Sequence, residues 1–276
     1  MSGPASTPTR SEASPTARDL ALCRSACWEA LALGFRPPGP ETLARLVAPD
    51  GVEALADALA VLDAARGTRV APAVRRLARP VSLDALGAAY GRLFGHTARG
   101  LVPPYETEYG ADSVFQPMHE MSDLAAFYRA FGLRLAPDAG ERPDHVSCEC
   151  EFLAFLARKE AYALERDDAP MRDATRQAER RFLRDHLGRW APAFGRMLAR
   201  HDPGGFFGAL GALSAEVVAL ECARVGVSAG PELLRLRSPE PPDAPAACGA
   251  DPAADVPIAR AWLGAGPAFR SLSESS

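Results

Sequence analysis

The chain has 276 residues, 47% of them hydrophobic and 24% charged, with a net charge of −4 and a pI near 5.8. A chain of this size buries roughly 70–75% of its unfolded surface, enough for one large domain or two small ones. The charge balance excludes the basic footprint of a nucleic-acid binder and a polybasic membrane anchor; the only lysine is Lys159, and arginine supplies the other basic residues.

In chain order, residues 1–17 are small, polar and interrupted by Pro4, Pro8 and Pro15, a composition that predicts disorder. A first helix is predicted from Arg18 to Phe35, with Leu20, Cys23, Cys27, Leu31 and Gly34 on one face and Trp28 beside them. Pro40 opens a short helix to Val47, and Asp50 is placed to cap a longer one carrying Val52, Leu55, Leu59 and Leu62. A weaker helix is predicted over residues 70–78. Ser82 then caps a clear one with Leu83, Leu86, Tyr90 and Leu93 aligned, closed by Gly95.

The loop from His96 to Gln116 is long for a compact domain, and its aromatics argue that it is ordered. Residues 117–133 return to helical spacing. Two prolines and Gly140 make residues 134–143 the expected hinge between a front and a back half. Pro143 and Asp144 mark the start of a helix to about Glu165, with Asp144 as its expected cap. Its apolar stripe, unusually, carries carboxylates in the first two turns. A charged helix over residues 171–186 leads through Gly188 and Trp190 to Phe194, Met197 and Leu198, a last helix follows over 206–225, and beyond Leu236 the composition turns to Pro, Ala, Asp and Ser, with only Val256 to Leu263, including Trp262, able to dock. No strand or internal repeat is predicted. The expected architecture is all-α, a single bundle of about nine to eleven helices over residues 18–236, with residues 237–276 as a mostly disordered tail.

No apolar run approaches the ~20 residues of a spanning helix, and the start has no apolar signal-peptide centre, so a cytoplasmic protein without stable membrane association is expected. Six cysteines are too few for a disulfide scaffold, and reduced thiols are expected. Cys148 and Cys150 sit roughly 200° apart around a helix and cannot chelate together; Cys23 and Cys27 share an apolar face, where thiols serve as small hydrophobes. No metal site follows. Without a His-Glu-x-x-His motif, a Ser-centred elbow or a Gly-Lys-Ser/Thr phosphate loop, no catalytic residue is assigned. The better lead is an acidic and aromatic set: Tyr105, Glu106, Glu108, Tyr109, Glu141, Asp144, His145 and Glu149, with Glu151 beside them.

The Pro143-Asp144-His145 helix start resembles that of the TorD/DmsD/NarJ chaperones, the redox enzyme maturation proteins. Tyr90-Gly91-Arg92-Leu93-Phe94, followed by Pro103-Pro104-Tyr105-Glu106-Thr107-Glu108-Tyr109, is similar to the family's aromatic-x-x-Leu-Phe helix end and Pro-Tyr-Glu-Ser-x-Tyr turn. Thr107 replaces the more usual Ser and keeps a hydroxyl. The likeness covers about Leu20 to Gly226.

It implies a cytoplasmic, non-enzymatic chaperone that binds the catalytic subunit of a molybdopterin-dependent oxidoreductase, together with its twin-arginine leader, until cofactor insertion and export. On this reading the acidic and aromatic set is the client and leader site, and the protein is a monomer or a domain-swapped homodimer. It holds no resident cofactor; transient contact with a guanine nucleotide or molybdopterin guanine dinucleotide stays open. The alternatives from other classes are a metal-dependent helical hydrolase using His119, His145 and the glutamates, and a helical adaptor without leader preference.

Overall fold

Thr16 sets where the first helix begins. Its hydroxyl accepts from the Asp19 amide at 3.2 Å, while the Asp19 carboxylate takes the Thr16 N–H at 3.0 Å, so two free donors of the first turn are satisfied reciprocally. The computed structural model describes residues 14–68, 70–95, 100–110, 116–136, 141–238 and 269–271, and these form ten α-helices and two short strands. Helix α1 (Ala17–Gly34) runs against α7 (Val146–Glu165), burying Trp28, Leu31, Phe152 and Leu156. A short α2 (Pro40–Thr42) continues as a π-helical turn over Leu43–Val47 and leads into α3 (Pro49–Arg66).

Asp50 is not the cap of α3. Pro49 occupies the first helical position after Ala48, so Asp50 falls inside the first turn, where its charge still suits the helix dipole. The weak helix near residue 70 shortens to α4 (Ala71–Val74). Ser82 does cap α5 (Leu83–Phe94), accepting from Ala85 N at 3.2 Å, and Gly95 ends it.

Helix α6 (Gln116–Ala130) stops at Gly132, whose φ of +72° suits a residue without a Cβ. The chain then extends as β1 (Leu133–Leu135), which pairs antiparallel with β2 (Phe269–Ser271). This corrects the expectation of no strands. A three-residue strand carries no alternation to detect, and its partner lies far along the chain. The expected hinge includes residues 137–140, and Trp262 and Cys248 belong to the tail; all of these lie outside the described residues.

The second half comprises α8 (Ala169–Asp185), α9 (Leu187–His201) and α10 (Phe206–Arg224). Helix α10 corrects a second expectation, because an 18-residue window within its 19 residues reaches a mean hydropathy of 1.6, long and apolar enough to cross a membrane by composition alone. That window is 72% buried inside the bundle, as a core helix is. Gly195 lets α9 and α10 approach closely: a Cβ there would lie 2.3 Å from the Gly211 carbonyl oxygen.

Pro192, inside α9, has no N–H for the carbonyl of Gly188 one turn back. Gly230 N donates to that carbonyl at 2.8 Å, drawing the segment after α10 back across α9.

Two aromatic clusters fill the core. Phe127, Tyr128, Phe131, Phe152 and Phe182 pack between α6, α7 and α8, with Phe152 and Phe182 centroids 4.9 Å apart. Phe35, Tyr90, Phe94, Phe194 and Phe207 fill the space between α1, α5, α9 and α10. His186 edges the first cluster and Trp190 the second, so the start of α9 stands between them.

Candidate functional site: a loop latched to two helix starts

The latch begins with backbone. Glu106 N donates to Asp144 O at 2.9 Å and Val146 N to Pro104 O at 2.8 Å, and Tyr105 and His145 form an antiparallel bridge. The Pro-Pro-Tyr-Glu loop is thus paired, like a fragment of sheet, with the residues that open α7. Pro143 contributes its carbonyl, which accepts from the buried Tyr128 hydroxyl at 2.8 Å.

The helix cap is His145 and not Asp144, which corrects the reading from residue type. His145 is extended (φ −73°, ψ 136°), and its Nδ1 accepts from Ser147 N at 3.2 Å and lies 2.7 Å from Ser147 Oγ. Burial, with Arg36 and Arg142 nearby, pushes the imidazole down to about 3, so the ring is neutral and Nδ1 is free to accept. Nε2 then carries the proton. The nearest carboxylate to it, Glu141 Oε2, is 3.8 Å away, too long for a hydrogen bond.

Asp144 serves the loop instead. Its Oδ2 accepts from Thr107 N at 3.3 Å and Thr107 Oγ1 at 2.7 Å, and Arg142 donates to both carboxylate oxygens at 3.0 and 2.7 Å. Arg142 Nη2 also donates to Thr107 Oγ1 at 2.6 Å, so the hydroxyl kept by Thr107 is used in both directions. The Arg142 guanidinium lies 4.5 Å over the Tyr105 ring.

Glu106 extends the latch to α9. Its Oε1 accepts from Arg189 Nη2 at 2.8 Å, and its Oε2 lies 3.0 Å from His186 Nδ1. Arg189 also donates to Glu120 Oε1 at 2.8 Å. Arg237 Nη1 donates to Glu120 Oε2 at 3.0 Å and to the Thr107 carbonyl at 2.7 Å, closing the circuit onto the same loop. Burial pushes the Glu120 carboxyl up, but its hydrogen bonds with Arg237 and Arg189 more than offset this and hold it below the usual range. Beside these, Tyr109 bridges to Leu236 and donates to Pro103 O at 2.9 Å.

Glu149 sits one turn into α7, fully buried, with neither oxygen hydrogen-bonded. Burial, together with the charges of Glu106 and Asp144, pushes its carboxyl well above the usual range, so it is held as the neutral acid. The Trp190 indole faces it without closing a bond of ordinary geometry.

The predicted set therefore converges, but mostly inward. Glu106, Asp144, His145 and Glu149 are at most 1% exposed, and Tyr109 is buried. Tyr105, Glu108 and Glu141 stay partly open, Glu108 beside the Arg237 backbone and Glu141 beside Tyr105. Burial first, then Asp144, pushes the Glu141 carboxyl up to about 7. Among the described residues no group of three or more His, Cys, Asp or Glu is arranged to hold a metal, and His119 is exposed on α6 while His145 is buried.

Arg142, Glu120, His186, Arg189 and Arg237 were not legible as site residues. His186 and Arg189 share a face at the start of α9, but their partners lie 80 and 83 residues away. No local spacing can announce such pairs.

The protein is an all-α domain whose motif residues bind a loop to helix starts, with Tyr105, Glu108 and Glu141 half-buried at the rim. The chain belongs to the nitrate reductase delta subunit family, whose model matches residues 49–196. It is 35% identical over 132 residues to the selenate reductase assembly chaperone protein of Thauera selenatis, covering 47% of this chain and 62% of that protein. To the dimethyl sulfide dehydrogenase assembly chaperone protein of Rhodovulum sulfidophilum it is 32% identical over 187 residues, 63% of this chain and 71% of that one. To the chlorate reductase assembly chaperone protein of Ideonella dechloratans it is 39% identical over 93 residues, 33% and 43% respectively. The match thus spans less than two thirds of the selenate and chlorate reductase relatives.

Proposed function

We propose that this chain is a non-catalytic assembly chaperone whose client is the catalytic subunit of a molybdopterin-dependent oxidoreductase. It holds that subunit, including its twin-arginine leader, until the cofactor is inserted. The observation that carries this reading is the convergence of the Tyr105-Glu106-Thr107 turn on Asp144 and His145, in a family whose similar members are named assembly chaperones. The working domain is proposed to span residues 18–236, stapled by Arg237.

In the proposed site Tyr105, Glu108 and Glu141 touch the client from the rim. Glu106, Tyr109, Asp144, His145 and Glu149 hold that rim in place from beneath. Exposed ion pairs contribute only ~0.2–1 kcal/mol each, whereas burying a Leu or Phe of the client contributes ~1.5–3 kcal/mol. Apolar client residues supply affinity, and the rim carboxylates supply register and choice of partner. Leu101, in the same loop, is 49% exposed and supports an apolar contact there.

The test is a calorimetric titration of the full chain with the client's leader peptide. Glu141 is faced by Arg36, Arg142, Asp144, Tyr105 and His145, and a leader arginine set beside it favours its carboxylate form. Binding then releases a proton, and affinity rises as pH increases through about 7. Glu141→Gln flattens this profile, and an arginine-to-lysine leader binds more weakly. A wild-type profile that is flat in pH removes Glu141 from the contact, and equal binding of both leaders favours the adaptor reading.

A further inference from the structure

A second polar assembly lies near the far end of α7, about 20 Å from the latch by helix rise. Arg24 of α1 is buried among Glu160, Glu179 and Glu221, pairing with Glu160 and lying 3.3 Å from Glu179 and 3.9 Å from Glu221. Arg176 of α8 donates to Glu160 at 2.6 Å, and Arg224 of α10 donates to Glu179 at 2.7 Å and Glu221 at 3.0 Å. These six groups tie α1, α7, α8 and α10 together and balance one another in charge.

Two more arginines stand over them. Arg66, at the end of α3, makes no ion pair among the described residues, and Arg180 of α8 donates to the Val225 carbonyl at 2.6 Å. Arg24, Arg66, Arg176, Arg180 and Arg224 all line an open cavity of about 490 Å³. Among the described residues its only acidic lining residue is Glu160, and both oxygens of that carboxylate are taken by Arg24 and Arg176. Glu179 and Glu221 lie beneath, each at most 2% exposed. The cavity therefore presents two positive charges beyond those its carboxylates neutralise. Leu20, Leu62, Ala65 and Val225 supply an apolar wall.

We propose that this cavity binds a phosphomonoester, its dianionic head on Arg66 and Arg180 and its organic body on the apolar wall. Guanidinium groups offer planar paired donors that match phosphate oxygens, and two uncompensated charges match a dianion better than a monocarboxylate. The volume suits a small organic ligand. Burial pushes the Arg66 guanidinium down, and the charges of Arg224 and Arg24 add to this against the raising effect of Glu221; a bound anion offsets it. No residue of the latch is involved, so this inference stands apart from the chaperone reading.

Phenyl phosphate and inorganic phosphate, titrated into the full chain at low and high salt, provide the test. Saturable binding is expected for both, tighter for phenyl phosphate and weakened by salt. Arg66→Gln with Arg180→Gln lowers phenyl phosphate affinity about tenfold or more, while the melting midpoint stays within about 2 °C because neither residue belongs to the six-group network. Arg66→Gln alone, which touches no helix cap, gives an intermediate loss. Absence of saturable binding, or equal affinity in the double variant, overturns the site. Equal affinity for the two probes overturns the role of the apolar wall.

Discussion

Glu149 is the residue whose cost to the fold is most open to measurement. It is a carboxyl without a hydrogen bond in the interior, kept protonated by burial and by the neighbouring charges of Glu106 and Asp144. The folded state holds its proton to a higher pH than the unfolded chain does. Its contribution to stability is therefore fully present below the unfolded value near 4.5 and declines as pH rises beyond it. Glu149→Gln removes that decline. The variant should melt higher than the wild type at pH 8, with the gap closing towards about pH 4. Melting curves across that range check it, and a gap independent of pH would mean that Glu149 is ionised or bonded in the fold. The same residue shows why a carboxylate on an apolar stripe was informative: the pattern was real, although the group faces inward.

Among the elements, α9 shows how one unfavourable residue recruits another segment. Pro192 leaves the Gly188 carbonyl without its helical donor, and Gly230 N supplies the bond from beyond α10. Gly230 can do so because a Cβ there would lie 2.0 Å from the Arg189 carbonyl oxygen. Gly230→Ala forces the two backbones apart, losing the bond and loosening the segment that carries Arg237. A loss of about 1–3 kcal/mol is expected, seen as a lower denaturant midpoint with an unchanged slope. An unaltered midpoint would mean that the segment is not held at this point.

For the molecule as a whole, the chain closes on itself through Arg237. This residue joins the Thr107 carbonyl to Glu120, which shares Arg189 with Glu106, so residues near the end of the bundle brace the loop in its middle. A chain ending at Leu236 leaves that circuit open, whereas one ending at Ser238 keeps it. The shorter chain should lose about 2–4 kcal/mol relative to the longer, a drop of roughly 5–15 °C in melting midpoint. Equal midpoints would show that the Arg189–Glu120 pair holds the loop without Arg237.

The all-helical class and most helix positions were determined by the sequence alone. These rest on local signals: apolar spacing at helical period, Ser82 as a cap and Gly95 as a stop. The tertiary structure alone decided that His145 and not Asp144 caps α7, and that the motif carboxylates turn inward. It also decided that His186, Arg189, Glu120 and Arg237 complete the latch, and that β1 finds a partner in the tail. The reason is one of range. Caps and amphipathic faces are settled by neighbours three or four residues away, whereas the partner of a buried charge is whichever opposite charge the packed helices bring to it.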